Sequence, residues 1–258
     1  MITAAPPLTT ADYITGLRFR FLQPLDPNDK IDWNSDAGEV LDLELDNIEL
    51  GCENVAMKQR LRPLGLTPRM GTLANAAIIN YGVSQLPTDQ CYLNVGTWHG
   101  FSFFAGMVDN PDKLCIGVDN FTICAPYKSP NKDAFIEQFN ALKSPQHRFV
   151  ESDYAVYLKT QHTAPIGFYF YDGPHEYHHQ FQGLRLAEPF FADGCIIMVD
   201  DTNWAAPHQA TLDFVERSPH SYRTILSQRT CDSRHPTFWN GLMILQKESV
   251  CSSRTHDG

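Results

Sequence analysis

The sequence predicts an α/β fold: a doubly wound, mostly parallel sheet with one antiparallel strand near the C-terminus, plus an N-terminal appendage. Three observations predict it. Short continuous apolar runs such as YLNV, IGFYFY and CIIMV read as strands buried on both faces. Stretches with apolar residues at helical spacing alternate with these runs. The last two runs, YRTILSQRT and FWNGLMILQK, follow one another with no helix between, as a hairpin that introduces one antiparallel strand would.

Residues 1–70 are rich in Asp, Asn and Pro; LQPLDPNDKIDWNSD breaks any regular pattern, and EVLDLELDNIEL reads as either strand or helix. This part is expected to be an appendage or lid. The pattern changes at GTLANAAIINYGVSQLP, a helix closed by Pro87, which is followed by the strand YLNV. The order is then FSFFAGMV helix, LCIGVDNF strand, DAFIEQFNAL helix and HRFVES strand. IGFYFYDG follows as a strand, YHHQFQGLRLAEPFF as a helix, CIIMVDD as a strand and HQATLDFVERS as a helix before the terminal pair. The domain proper spans residues 71–250, and residues 251–258 are expected to be a flexible tail.

Composition narrows the function. With 258 residues, 43% of them hydrophobic, the chain can bury one sizeable core, so global disorder is excluded. A net charge of -10 opposes phosphate backbones and anionic lipid, which argues against nucleic-acid and membrane partners and leaves a small molecule or a protein. The seven cysteines lack the close spacing of a zinc site, and several sit in apolar runs as small hydrophobes. The start MITAAPPLTT lacks the basic and long apolar segments of a secretory signal, so a reducing cytoplasm is the expected location.

Two strand ends carry chemistry. NVGTWHGFS puts Gly96 and Gly100 between a strand and a helix, where bare backbone lets a ligand approach. Glycines there also serve simple chain reversal, and the third glycine of the dinucleotide fingerprint is missing. The next strand ends on Asp119, roughly 20 residues on, where an acid can accept from both hydroxyls of a ribose. Capping of the following turn is the plainer role for Asp119. The pairing of glycines with this acid favours a nucleoside ligand.

NVGTWHGFS followed by GVDNF resembles the first cofactor motifs of class I S-adenosylmethionine-dependent methyltransferases, with a Rossmann-like fold. Together with DGPHEY and VDD, the order is similar to that of metal-dependent small-molecule O-methyltransferases of the macrocin and catechol types, over about residues 70–247. The resemblance implies that Gly96 passes close to the methionine part of the cofactor, with Thr97 beside it. Ser102 would bond its carboxylate, Asp119 would hold the ribose, Asp153 would lie near the adenine and Asp172 would border the site. Two positions before the first glycine the family has an acid; here Asn94 can accept a hydrogen bond but carries no charge.

In the implied fold the strands ending in Asp172 and in Asp200–Asp201 are neighbours, about 4.8 Å apart, so the three carboxylates can converge on one ion. Three hard oxygen donors suit magnesium better than zinc. Helix and turn capping by the same aspartates is the alternative. His175 stands where related catechol-type enzymes carry a basic catalytic residue, and could either take a proton from the substrate hydroxyl or orient a metal ligand. Asp172 and His175 are thus the catalytic candidates. Of His178 and His179, at least one should face solvent. Trp98 and Trp204 either wall the site or pack, and His208 and Asp213 are expected on a helix surface.

These features imply an O-methyltransferase acting on a hydroxylated small molecule. A relative that keeps both sites but performs another reaction, such as hydroxylation, and a non-catalytic S-adenosylmethionine-binding module are the alternatives. The appendage could also mediate pairing into a homo-oligomer.

Overall fold

The computed structural model describes residues 8–29, 37–50, 54–122 and 132–249. The expected tail, 251–258, lies outside them. Between Cys91 and Lys247 the chain forms one seven-stranded sheet: β3 (Cys91–Val95), β4 (Leu114–Asp119), β5 (His147–Glu151), β6 (Ile166–Tyr171), β7 (Phe191–Val199), β8 (Tyr222–Gln228) and β9 (Leu242–Lys247). Their order is β5-β4-β3-β6-β7-β9-β8. All pairs from β5 to β7 are parallel, and β9 runs antiparallel to both β7 and β8. The doubly wound sheet with one reversed strand is therefore present, and β9 inserts between β7 and β8 instead of adding at the edge.

Alternation along these strands divides the core into two layers. On one face Tyr92, Phe168, Phe170, Met198 and Ile244 pack with α4 (Leu73–Ser84), α5 (Phe101–Met107) and α6 (Lys132–Leu142). On the other, Leu93, Tyr169, Tyr171, Ile197 and Leu245 pack with α7 (Tyr154–Thr160), α8 (Tyr177–Ala187) and α9 (Ala205–Arg217). Helix α7 was not expected from the sequence. Its N-cap is Asp153, whose carboxylate accepts from the Ala155 and Val156 amides at 2.9 and 3.1 Å. Strand β7 starts at Phe191, four residues before the CIIMV run, because Phe191 pairs with Ile166 ahead of a register shift.

The first 70 residues contribute α1 (Thr10–Gly16), the short pair β1 (Arg18–Phe19) and β2 (Ile48–Glu49), α2 (Ala37–Asn47) and α3 (Asn54–Leu61). EVLDLELDNIEL thus divides, helix first and strand last. Tyr13, Leu41, Ile48, Leu61 and Leu64 are buried in the same core layer as α4 and α5. A buried ion pair, Arg69 Nη1 to Glu44 Oε1 at 2.9 Å, closes this part against the start of α4, where Glu44 Oε2 accepts from the Leu73 amide. No helix among the described residues is long and apolar enough to cross a membrane.

Candidate active site

Register builds the site. Val95 pairs with Val118 and with Tyr171, and Tyr171 pairs with Val199. The next residue on each strand therefore falls in one row at the carboxyl edge: Asp119, Gly96, Asp172, Asp200. Backbone bonds extend the ladder one step, from the Gly96 amide to Val118 O and from the Asp172 amide to Val95 O, both 2.9 Å. Gly96 is required here. Its φ is +82°, and a Cβ would lie 1.9 Å from Asp172 O.

Of the three aspartates expected to converge, Asp172 and Asp201 come together with His175, while Asp200 lies outside that group. One oxygen each from Asp172 and Asp201 and a ring nitrogen of His175 lie within 4.8 Å of one another. Asp201 adopts φ +56°, a left-handed conformation uncommon outside glycine and typical of functional sites. Its Oδ2 is 3.1 Å from His175 Nε2, and its Oδ1 accepts from Asn240 Nδ2 at 2.8 Å. Asp200 Oδ1 is buried with no hydrogen-bond partner. All three carboxyls have raised pKa values. For Asp172 the causes are burial, then repulsion from Asp200, Asp201 and Asp119; for Asp200, burial and then Asp201. For Asp201 burial dominates, and His175 and Asn240 oppose it.

The glycine turn differs in detail from expectation. Asp119 Oδ2 accepts from the Thr97 and Trp98 amides at 2.7 and 2.8 Å, and Oδ1 from the Phe121 amide at 2.7 Å. Both oxygens therefore brace the loop, the plainer of the two roles, and a ribose would have to compete with these amides. Asp153 is likewise engaged in capping α7. Ser102 Oγ donates to Asn94 Oδ1 at 3.2 Å, so the uncharged amide at 94 is held toward the loop. Trp98 takes φ +47°.

A narrow pocket, about 30 Å³ in this conformation, opens beside the row, lined among others by Arg69, Asn75, Thr97, Trp98, Ser102, Asp172 and Asp200. His175 and Trp204 lie outside that lining, edge to face at 4.9 Å and partly exposed. His178 is exposed, while His179 Nδ1 is 3.0 Å from the Tyr154 hydroxyl. Asp213 is bonded by the Tyr177 hydroxyl and by Gln209.

Asn240, Asn75 and Arg69 were not read as site residues. Asn240 had a signal: it precedes the reversed strand, and an antiparallel strand begins at the edge where its parallel neighbours end. A larger cavity, about 360 Å³, lies away from this edge between Arg18, Arg20, Glu49 and Lys58. Its cations already bond Thr15 and Leu17 carbonyls, Glu49, and Leu45 and Ile48 carbonyls.

Residues 93–202 match a family model described as a methyltransferase domain. The fold is similar to that of a Staphylococcus aureus protein described as a caffeoyl-CoA O-methyltransferase, with 10% identity, TM-score 0.53 and 82% of this chain and 98% of that one covered. It is also similar to the cofactor-bound Rv0187 protein of MTB, with 14% identity, TM-score 0.52 and coverage of 76% and 89%. A Klebsiella pneumoniae protein described as an O-methyltransferase gives 14% identity, TM-score 0.51 and coverage of 84% and 92%. No curated protein sequence matches the chain significantly.

Proposed function

We propose that this protein is an S-adenosylmethionine-dependent methyltransferase that methylates a hydroxyl oxygen of a small molecule, with a magnesium ion held by Asp172, Asp200 and Asp201. The observation that carries the reading is the buried Asp200 Oδ1, which has no partner and feels the charge of Asp201, next to the cluster of Asp172, His175 and Asp201. A buried, unpaired carboxylate oxygen is costly, and a cation offsets both that cost and the mutual repulsion. The donors are hard oxygens, the set that suits magnesium.

S-adenosylmethionine, when bound, supplies a methyl group on a positively charged sulfur, and magnesium, when bound, lowers the pKa of a hydroxyl it polarises. The chain's own residues do the rest. Gly96 lets the turn pass against the Asp172 backbone, Ser102 presents a polar atom to the pocket and is held by Asn94, and Asp119 holds the turn in shape. Ribose contact by Asp119 and adenine contact by Asp153 belong to the same proposal. Each would share its carboxylate with the backbone amides it now serves.

His175 can serve both roles raised for it. When Nε2–H donates to Asp201, the imidazole orients that carboxylate, and the lone pair on Nδ1 becomes the basic position of the ring. A substrate hydroxyl on the solvent side, beside Trp204, can lose its proton there. Positioning supplies most of the rate, since the leaving sulfide needs no acid.

Methyl-labelled S-adenosylmethionine, a panel of hydroxylated acceptors and added magnesium test the proposal. Label should move to an acceptor oxygen, and the transfer should disappear with a chelator or with Asp201→Ala. Transfer that persists unchanged in both would overturn the metal assignment.

A further inference from the structure

Away from the strand ends, the stretch before Lys30 meets the loop between β8 and β9 through three side chains of different chemistry. Asp29, Cys231 and His235 offer a carboxylate oxygen, a thiol sulfur and a ring nitrogen, all within 4.8 Å of one another. His235 is fully buried, and its Nε2 is 3.2 Å from Asp29 Oδ2. Its other ring nitrogen, Nδ1, is 2.7 Å from the Thr237 hydroxyl. The Thr237 amide also donates to Nδ1 at 3.4 Å, so without an ion the ring proton sits on Nε2 and faces Asp29; for Nε2 to take an ion that proton must move to Nδ1, which then donates to the Thr237 hydroxyl. The backbone already aligns the two segments: the Cys231 amide donates to Pro24 O at 2.9 Å, and Cys231 Sγ is 3.8 Å from Asp29 O.

We propose that Asp29, Cys231 and His235 form a zinc site that pins the N-terminal segment to the β8–β9 loop. A thiolate, an imidazole and one carboxylate are a borderline-soft set that selects zinc over magnesium, in contrast to the all-oxygen cluster at Asp172, Asp200 and Asp201. Cys231 is exposed, so the fourth tetrahedral position faces water. On binding, the Cys231 S–H bond breaks, its proton passes to solvent and the sulfur lone pair bonds the ion. Asp26 and Asp232 add negative charge near the thiol, which favours a dication there. The same loop carries Asn240, the donor to Asp201, so the ion would also brace the wall of the active site.

The rival is a metal-free tether in which His235 donates to Asp29 and nothing else is bound. Full-length protein stripped of metal and titrated with cobalt(II) alone separates the two. One equivalent should produce a thiolate-to-cobalt charge-transfer band that zinc then abolishes. The band should vanish in Cys231→Ser, an exposed and conservative change, and persist in Asp201→Ala. His235→Gln, checked for folding by circular dichroism, should weaken zinc binding at least about tenfold, since even outer-sphere partners of a metal site carry 10- to 100-fold. No band in the wild type, or a band that survives Cys231→Ser, overturns the proposal. Neither result decides the proposed methyl transfer, which rests on the other cluster and is read by label transfer.

Discussion

Replacing Gly96 with alanine gives the sharpest test of how the site is assembled. The new Cβ would sit 1.9 Å from Asp172 O and 2.6 Å from Asp172 C, where ordinary contact starts at 3.4 Å; it is therefore about 1.5 Å too close. Neither partner is a flexible side chain, so β3 and β6 must part at their ends. The positive φ adds a left-handed penalty of roughly 1–2 kcal/mol, and forcing the overlap roughly 1–3 kcal/mol more. Gly194→Ala is the control: it has φ +77°, but its nearest neighbour is Gln246 Nε2 at 4.0 Å, so it carries the backbone penalty without the clash. At about 2–4 °C per kcal/mol for a chain of this size, Gly194→Ala should lower Tm by about 2–8 °C and Gly96→Ala by about 4–20 °C. Because the clash displaces the Asp172 backbone, Gly96→Ala should also lose the Tm increase that the proposed magnesium site predicts, while Gly194→Ala should keep it. Thermal melts with and without magnesium read both effects. Equal losses in the two variants, or a magnesium response surviving in Gly96→Ala, would refute the claim that Gly96 sets the position of Asp172.

Two further outcomes follow from the same residues. Asp172, Asp200 and Asp201 have folded pKa values raised above the usual carboxylate value, mainly by burial. Their contribution to stability is complete below roughly pH 4 and is lost as pH rises through the folded values. The metal-free protein should therefore lose more Tm with rising pH than Asp200→Asn does, and magnesium should offset the loss. Parallel curves for the two proteins would contradict this. Asp119→Asn leaves one oxygen to serve the three amides of Thr97, Trp98 and Phe121, at a cost of about 1–3 kcal/mol, so its Tm should drop by roughly 2–12 °C even without cofactor, together with weaker S-adenosylmethionine binding. Weaker binding at unchanged Tm would mean that the carboxylate does not brace the turn.

What the sequence disclosed, and what it hid, divides along a physical line. Apolar runs ending abruptly on Asp172 and on Asp200–Asp201 were legible because burial on both faces forces continuous hydrophobicity, and the first polar residue then marks the strand end. The convergence of those acids required neighbouring strands, which short-range pattern cannot supply and the family resemblance did. The short helix α7 escaped because YAVYLKT carries few helix-specific cues beyond its Asp153 cap. The bracing role of Asp119 was hard to see for another reason: its partners are backbone amides, and these leave no trace in residue type. Burial of Leu41, Leu61 and Leu64 with α4 and α5 likewise depends on contacts between distant parts of the chain.

The unpaired buried groups give an argument independent of any resemblance. Among the described residues, six buried side-chain atoms have no hydrogen-bond partner, and three of them, Asn75 Nδ2, Trp98 Nε1 and Asp200 Oδ1, belong to residues lining the one narrow pocket. Each such atom costs about 1–3 kcal/mol when left unmade, so folding alone gives no reason to gather them in one place. Two are donors and the third is a carboxyl oxygen that a cation would hold ionised. A ligand offering acceptors to Asn75 and Trp98, with a cation beside Asp200, satisfies all three, and an amino-acid-bearing nucleoside with a divalent ion has that pattern of charge. Asn75 lies outside residues 93–202, in the helix that Thr72 caps and that Glu44 and Arg69 fasten. On the proposed function, Asn75→Ala should therefore weaken cofactor binding in a titration with S-adenosylmethionine, and unchanged affinity would show that Asn75 serves only the packing.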